Sequence, residues 1–251
     1  MLIIRNQQVK AFEIGAKENF ENEMVRHIEQ FTPVYFKVIG EQGVRTVVKL
    51  GIERAQKYGF TNRGPVRFYV EMMFMFGSDF DTDPQYPWVR QIFTSPDKGH
   101  QMWRADRLYD KAMDYVENVV GHENRYEMEA LQRLILMRVE DIFSARQDIA
   151  AILITMHPHK CEYIAQNSLN ALIQMGKAKY QTYSTSSMMG EALFVGLMFI
   201  FGSGCFTDLQ FPWIANTLNN PSIDDPDKRL KRLYSKTITY MKQALINMKK
   251  R

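Results

Sequence analysis

Three groups of side chains in this chain have types and spacings that could support chemistry. Asp79, Asp81 and Asp83 alternate like the opening of a calcium loop, in which carboxylates at positions one, three and five share a hard cation. The pattern then breaks. Position six is Pro84 where the sharp turn needs glycine, and position twelve is Arg90 where a bidentate glutamate belongs. The run His157-Pro158-His159-Lys160-Cys161 offers soft ligands at alternate positions. Zinc sites bring two such pairs together, and no second cluster occurs, so the run reads as a structural turn and no metal is expected. Arg104 and Arg107 with Tyr109, and Arg229 and Arg232 with Tyr234, could hold an anion between two halves of the chain. Ion pairing on or between helices is the plainer reading of these arginines. No His-Glu-x-x-His, no Gly-x-Ser-x-Gly, no phosphate-binding loop and no dinucleotide fingerprint is present. The expectation is therefore no catalytic residue, no cofactor and no enzyme.

The elements that must position these residues come twice. The stretch Val70-Glu-Met-Met-Phe-Met-Phe-Gly77 runs through an Asp-containing turn to Pro87-Trp88, and Val195-Gly-Leu-Met-Phe-Ile-Phe-Gly202 runs through another to Pro212-Trp213. The offset is 125 residues throughout, and from residue 45 to residue 115 the match needs no gap. Pro96 meets Pro221, and Arg104, Arg107 and Tyr109 meet Arg229, Arg232 and Tyr234. A match of that length is beyond chance. Before residue 45 it decays, and the first helix is expected to find its counterpart within residues 131–156 in a shifted register. Gly77, Pro87, Trp88, Gly202, Pro212 and Trp213 are kept in both copies, which assigns them to architecture. In that role a tryptophan at the start of a short helix anchors the loop onto the apolar helix before it. Asp83 and Asp208 are also kept and read as turn or capping residues. Asp79 and Asp81 are not kept: Gly204 and Phe206 stand in their places.

Helical periodicity and Gly/Pro punctuation place the elements. Val9, Phe12, Ala16, Phe20, Met24 and Ile28 recur at helical spacing between Gln7 and about residue 30, ahead of Pro33. A short helical piece from Tyr35 to Ile39 ends at Gly40, and a second long helix runs from Glu41 to Tyr58-Gly59. Pro65 suits the first turn of a helix whose body, Phe68 to Phe76, is apolar almost all round and so belongs in the centre of a bundle. Pro87 opens a short helix that Pro96 breaks, and an amphipathic helix follows from about His100 to Val120. Residues 123–146 read as one further helix, with Met128, Leu131, Leu134, Ile135, Val139 and Ile142 on its apolar face. Sustained period-two alternation and hairpin turns are lacking. The fold class is all-α: two pseudo-symmetric helical repeats, 1–121 and 122–251, packed as one body without a Gly/Ser- or Pro-rich linker.

At 251 residues with 45% hydrophobic content the chain can build a substantial core. A net charge of +4 is too diffuse for a nucleic-acid surface, with basic residues dense only at Lys228–Arg232 and at the terminal Lys249-Lys-Arg251. Two cysteines, Cys161 and Cys205, make no disulfide framework and favour a reducing compartment. The start Met1-Leu-Ile-Ile-Arg-Asn-Gln does not read as a secretion signal, and the apolar run Ala192–Phe201 is too short to cross a bilayer. A cytoplasmic protein with no membrane partner is expected.

Tyr58-Gly59 before an apolar helix, Phe76-Gly77, Phe80-Asp81-x-Asp83-Pro84 and Pro87-Trp88 together resemble a family of bacterial helical proteins. Members of that family are encoded beside the spike, PAAR and Rhs-type effector genes of type VI secretion systems. Phe20…Met24-Val25…His27…Phe31 and Gly40…Gly51-Ile52…Ala55 match its leading helices. The resemblance covers mainly residues 10–95; the second half departs from it at Tyr183-Ser184 and Cys205-Phe206-Thr207-Asp208. It implies a partner, a cognate effector, bound either by an immunity protein that neutralises a toxin or by an adaptor that loads it, and it carries no catalytic residues across. Asp79, Phe80, Asp81, Asp83 and Tyr86 are then the expected partner-binding residues, because that loop is where the copies diverge. A homodimer stays open. A small-ligand protein or enzyme with an anion pocket between the repeats is the alternative from a different class.

Overall fold

A computed structural model describes residues 6–95, 100–137, 148–184 and 188–249. Those residues are all-helical, with no strand among them. Helix α1 (Asn6–Phe31) leads into α2 (Pro33–Lys57), which is two helical pieces joined at Gly40 (φ 69°), as the sequence anticipates. There follow α3 (Arg63–Phe76), α4 (Pro87–Thr94) and α5 (Gln101–Tyr115), the last continuing as a π turn through Val120 to Gly121. A short 3-10 turn (His122–Asn124) precedes α6 (Arg125–Leu136). The remaining helices are α7 (Ile149–Met156), α8 (Pro158–Tyr163), α9 (Gln166–Gln181), α10 (Met188–Phe201), α11 (Pro212–Leu218) and α12 (Pro226–Met248).

The apolar composition of α3 and α10 explains their place. Val70, Met72, Met73 and Phe74 of α3 are buried, as are Val195, Leu197, Met198 and Phe199 of α10, so each helix sits at the centre of its half. Two hydrophobic clusters surround them: one drawn from residues 24–119, the other from residues 131–241. Tyr35 bridges the clusters, edge-on to Phe74 at 6.0 Å and to Phe211 at 5.8 Å. Trp88 packs edge-on against Phe76 and Trp213 against Phe201, each ring clamping the end of its central helix.

Two expectations need correcting. The apolar stripe of α1 engages the core only from Phe20 onward, through Met24, Val25 and Ile28, whereas Phe12 is 72% exposed and Ala16 is exposed as well. Periodicity reports an amphipathic face but not whether a neighbour reaches it. Helix α6 stops at Leu136, with Met137 in extended backbone. The Val139 and Ile142 positions of the expected longer helix, like Pro96, lie outside the described residues.

Candidate functional site

The loop after α3 and the loop after α10 meet back to back. Gly77 (φ 94°, ψ 155°) and Gly202 (φ 92°) end the two helices in backbone conformations that strain any residue with a side chain. A Cβ on Gly77 would stand 2.7 Å from the carbonyl oxygen of Phe201, and one on Gly202 2.7 Å from that of Phe76. Here glycine is required twice over, by conformation and by the close approach of the other loop.

Beyond the glycines each loop reaches into the other. Asp208 accepts from the backbone N–H (2.8 Å) and hydroxyl (2.7 Å) of Ser78, and Asp83 accepts from the N–H of Ser203 at 2.6 Å. Gln85 donates to the carbonyl of Met198 at 3.1 Å, and Gln210 donates to that of Met73 at 2.8 Å. Asp83 and Asp208 also fill the expected turn role, accepting from the N–H of Gln85 and Gln210 two residues on. Burial pushes both carboxyls above their ordinary range, opposed by those same hydrogen bonds. Sequence reasoning recovered the turn and missed the contact across halves, which only the fold brings into range.

The expected partner-binding residues divide by burial. Phe80 and Tyr86 are 1% and 3% exposed and Asp83 is 3% exposed, so none of the three presents a side chain to a docking surface. Asp79 and Asp81 are half-buried, and Thr82 is the exposed tip. Asp79 pairs with Arg54 at 2.6 Å, and the same guanidinium donates to the carbonyl of Ser78. Asp81 accepts from the hydroxyls of Tyr58 and Tyr69, both at 2.9 Å. Burial, and then the Asp81 carboxylate, push the Tyr58 hydroxyl up to about 12, which keeps it a donor.

These contacts give a physical reason for the divergence between the loops. Asp79 lies against Gly204, its counterpart in the other loop, where even a Cβ would fall 1.8 Å from its carboxylate oxygen. Two aspartates cannot face each other there, so one loop holds the carboxylate and the other makes room. The Tyr58–Tyr69–Asp81 set is matched by Tyr183, Phe194 and Phe206. Phe194 stacks on Phe206 at 4.4 Å, so the hydroxyl and its acceptor have been replaced together by two rings. Divergence at both positions is compensated inside the protein.

Beside this loop an open groove of about 860 Å³ runs between α4 and α9. Asp81, Thr82 and Arg90 line it from one side, Asn167, Ala171 and Met175 from the other. Arg90, Asn167 and Ala171 are exposed, and Met175 is 43% exposed.

The arginine pairs do not converge between the halves. Arg104 donates to the carbonyl of Tyr58 at 2.6 Å and lies over the Phe60 ring, while Arg229 donates to the carbonyls of Leu218 and Ile223. Arg104 and Arg229 thus each satisfy carbonyls at chain turns within their own part of the chain, and neither has a carboxylate partner among the described residues. Arg107 lies over Trp103, and the Tyr234 hydroxyl donates to the carbonyl of Met137.

A cavity of about 470 Å³ does lie between the halves, lined by Tyr35, Phe74, Tyr86, Tyr115, Phe199 and Phe211 among other residues. Its polar lining is Thr32, Asn124, Glu127, His157 and Lys160, besides the tyrosine hydroxyls. His157 caps the N-terminus of α8, Nδ1 accepting from the Lys160 N–H at 3.2 Å, and is 6% exposed. The run expected as a turn is instead the start of a helix, with Pro158 to Cys161 inside α8, and His159 stacks on Tyr126 at 3.7 Å. Among the described residues no three His, Cys, Asp or Glu side chains are grouped to hold a metal. Lys160 is 5% exposed, with its ammonium over the Phe199 ring. Burial lowers it from 10.5 to about 8. The sequence carries one sign of this wall: at an offset of 125, Lys160 stands where the earlier stretch has the half-buried ring of Tyr35.

No family model matches the chain, and neither a curated protein nor a solved structure is significantly similar to it. Among the described residues no helix is long and apolar enough to cross a membrane.

Proposed function

We propose that this protein is a stoichiometric partner for another protein: a duplicated, pseudo-symmetric helical body that binds a cognate effector of a type VI secretion locus in the bacterial cytoplasm and neutralises it as an immunity protein. The observation that carries the binding reading is the groove beside the Asp79–Tyr86 loop. Its walls come from both halves, and its loop side is pinned from within by Arg54, Tyr58 and Tyr69. A loop held by internal bonds loses little freedom on docking, so contact energy goes into affinity instead of into ordering the loop. Met175 supplies an adaptable apolar contact, with Asp81 and Arg90 as opposite charges that orient an extended or helical segment of the partner. The duplication is supported by the constant offset of 125 and by the paired contacts of Ser78 with Asp208 and Ser203 with Asp83. The type VI setting is supported by the motif resemblance over residues 10–95.

The test is co-purification with the product of the adjacent gene, followed by rescue from its toxicity. Arg90→Glu with Met175→Asp changes only exposed groove positions and is expected to lower affinity at least about a hundredfold while leaving the unfolding curve in place. Complex formation without rescue would assign the adaptor role. Unchanged binding by the double variant would remove the groove from the account.

A further inference from the structure

The cavity between the halves is separate from the groove, and its wall chemistry has a direction. The Nδ1 atom of His157 accepts the Lys160 backbone N–H, so in that arrangement the ring proton resides on Nε2. That Nε2–H is buried and makes no hydrogen bond within the protein, and the Glu127 carboxylate stands 3.7 Å away, beyond hydrogen-bond reach. An unpaired buried donor costs free energy, so such groups mark places where a partner belongs. The Lys160 ammonium spends one N–H on the Phe199 carbonyl and has two more to give. The Thr32 hydroxyl, also on the cavity wall, is unpartnered too. Every uncommitted polar atom named here can donate, and the rest of the lining is mostly aromatic and aliphatic. The volume lies within the few hundred to about a thousand Å³ typical of small-molecule pockets.

We infer that this cavity binds a small aromatic carboxylate, its carboxylate accepting from Lys160 Nζ and His157 Nε2 and its ring lying among Tyr35, Tyr86, Phe199 and Phe211. Glu127, at the rim with 32% of its side chain exposed, is the internal carboxylate that such a ligand displaces from the neighbourhood of His157. A hydrogen bond to a charged group is stronger than one to a neutral group, which sets the expected preference for a carboxylate over its neutral amide at roughly tenfold or more.

The probes are 3-phenylpropanoate and 3-phenylpropanamide, the same ring and chain with and without the charge, titrated into the intact 251-residue chain by calorimetry. Saturable one-to-one binding of the carboxylate, with the amide weaker by at least about tenfold, is expected. Lys160→Met is expected to bring the two probes within about twofold of each other, and His157→Asn, which keeps an N-cap acceptor and removes the Nε2 donor, to narrow the gap in the same direction. Glu127→Gln moves the other way and tightens the carboxylate by about threefold, since it removes a like charge from the rim. Circular dichroism of each variant reports whether it has folded. The wild-type comparison and the part-exposed Glu127 variant stand even if Lys160→Met does not fold. Equal affinity for the two probes, no saturable binding, or an undiminished preference in folded Lys160→Met would overturn the assignment.

Discussion

Replacing Gly204 by Asp would give both loops the same residue at the point where they face each other. A Cβ there would lie 1.8 Å from Asp79 Oδ2, 2.6 Å from its Cγ and 2.9 Å from its Cβ, so Asp79 must leave its position. Doing so breaks the half-buried Arg54–Asp79 pair, worth about 0.5–1 kcal/mol at this exposure. Refitting the added side chain costs about 1–3 kcal/mol, and two carboxylates about 4 Å apart add roughly 1 kcal/mol or more in this partly screened setting. Gly204→Asp should therefore destabilise by about 3 kcal/mol. Adding Asp79→Gly transposes the asymmetry: the space reopens on the first loop, and Lys179 stands at the position equivalent to Arg54 to receive the new carboxylate. The double variant should recover at least half of the loss, a coupling of about 2 kcal/mol read from urea unfolding of the four proteins. A Gly204→Asp protein within about 0.5 kcal/mol of wild type, or a double variant as unstable as the two singles summed, would refute the complementary-loop reasoning.

Gly77→Ala should cost about 3 kcal/mol or more in urea unfolding, from the strained φ and the contact with the Phe201 carbonyl, whereas Gly196→Ala, with no heavy atom within 4 Å of the added Cβ, should be neutral or stabilise α10 by about 0.5–1 kcal/mol. Asp81→Ala leaves the fully buried Tyr69 hydroxyl without its acceptor and should cost about 1–3 kcal/mol; adding Tyr69→Phe, as the second half has at Phe194, should restore part of that loss. For Lys160, lowered by burial from 10.5 to about 8, the folded chain binds fewer protons than the unfolded chain between those values, so this residue adds stability as pH rises through them. The thiols of half-buried Cys161 and buried Cys205, pushed up from 9.0, act in the opposite sense near the same window, so the comparison is between proteins. Wild type should gain about 2 kcal/mol relative to Lys160→Met between pH 8 and pH 10, and parallel pH profiles would contradict that.

The element boundaries were readable because glycine and proline carry them. Gly40, Gly59, Gly77 and Pro87 each act through backbone geometry that one residue determines locally, and the helices begin and end where those residues say. The apolar bodies of α3 and α10 were readable as central because neither leaves a polar face for water. What escaped depends on neighbours distant in sequence. Phe12 is exposed although it lies on the apolar stripe of α1, because a stripe does not say which neighbours reach it. The divergence of Asp79 and Asp81 suggested an external contact, but the carboxylates are answered by Gly204, Arg54, Tyr58 and Tyr69, three of which lie in other elements. Arg104 and Arg229 suggested charge partners, yet their partners are peptide carbonyls, which no residue type announces. Lys160 sat inside a run judged by its His and Cys neighbours, and only the cavity reveals that its charge is buried.

The decisive measurement is the affinity of the purified protein for the product of the gene beside its own, together with growth of cells expressing both. A one-to-one complex that restores growth is expected, with both complex and rescue lost in the folded Arg90→Glu, Met175→Asp variant. An adjacent-gene product that the wild-type protein neither binds nor neutralises would contradict the proposed function.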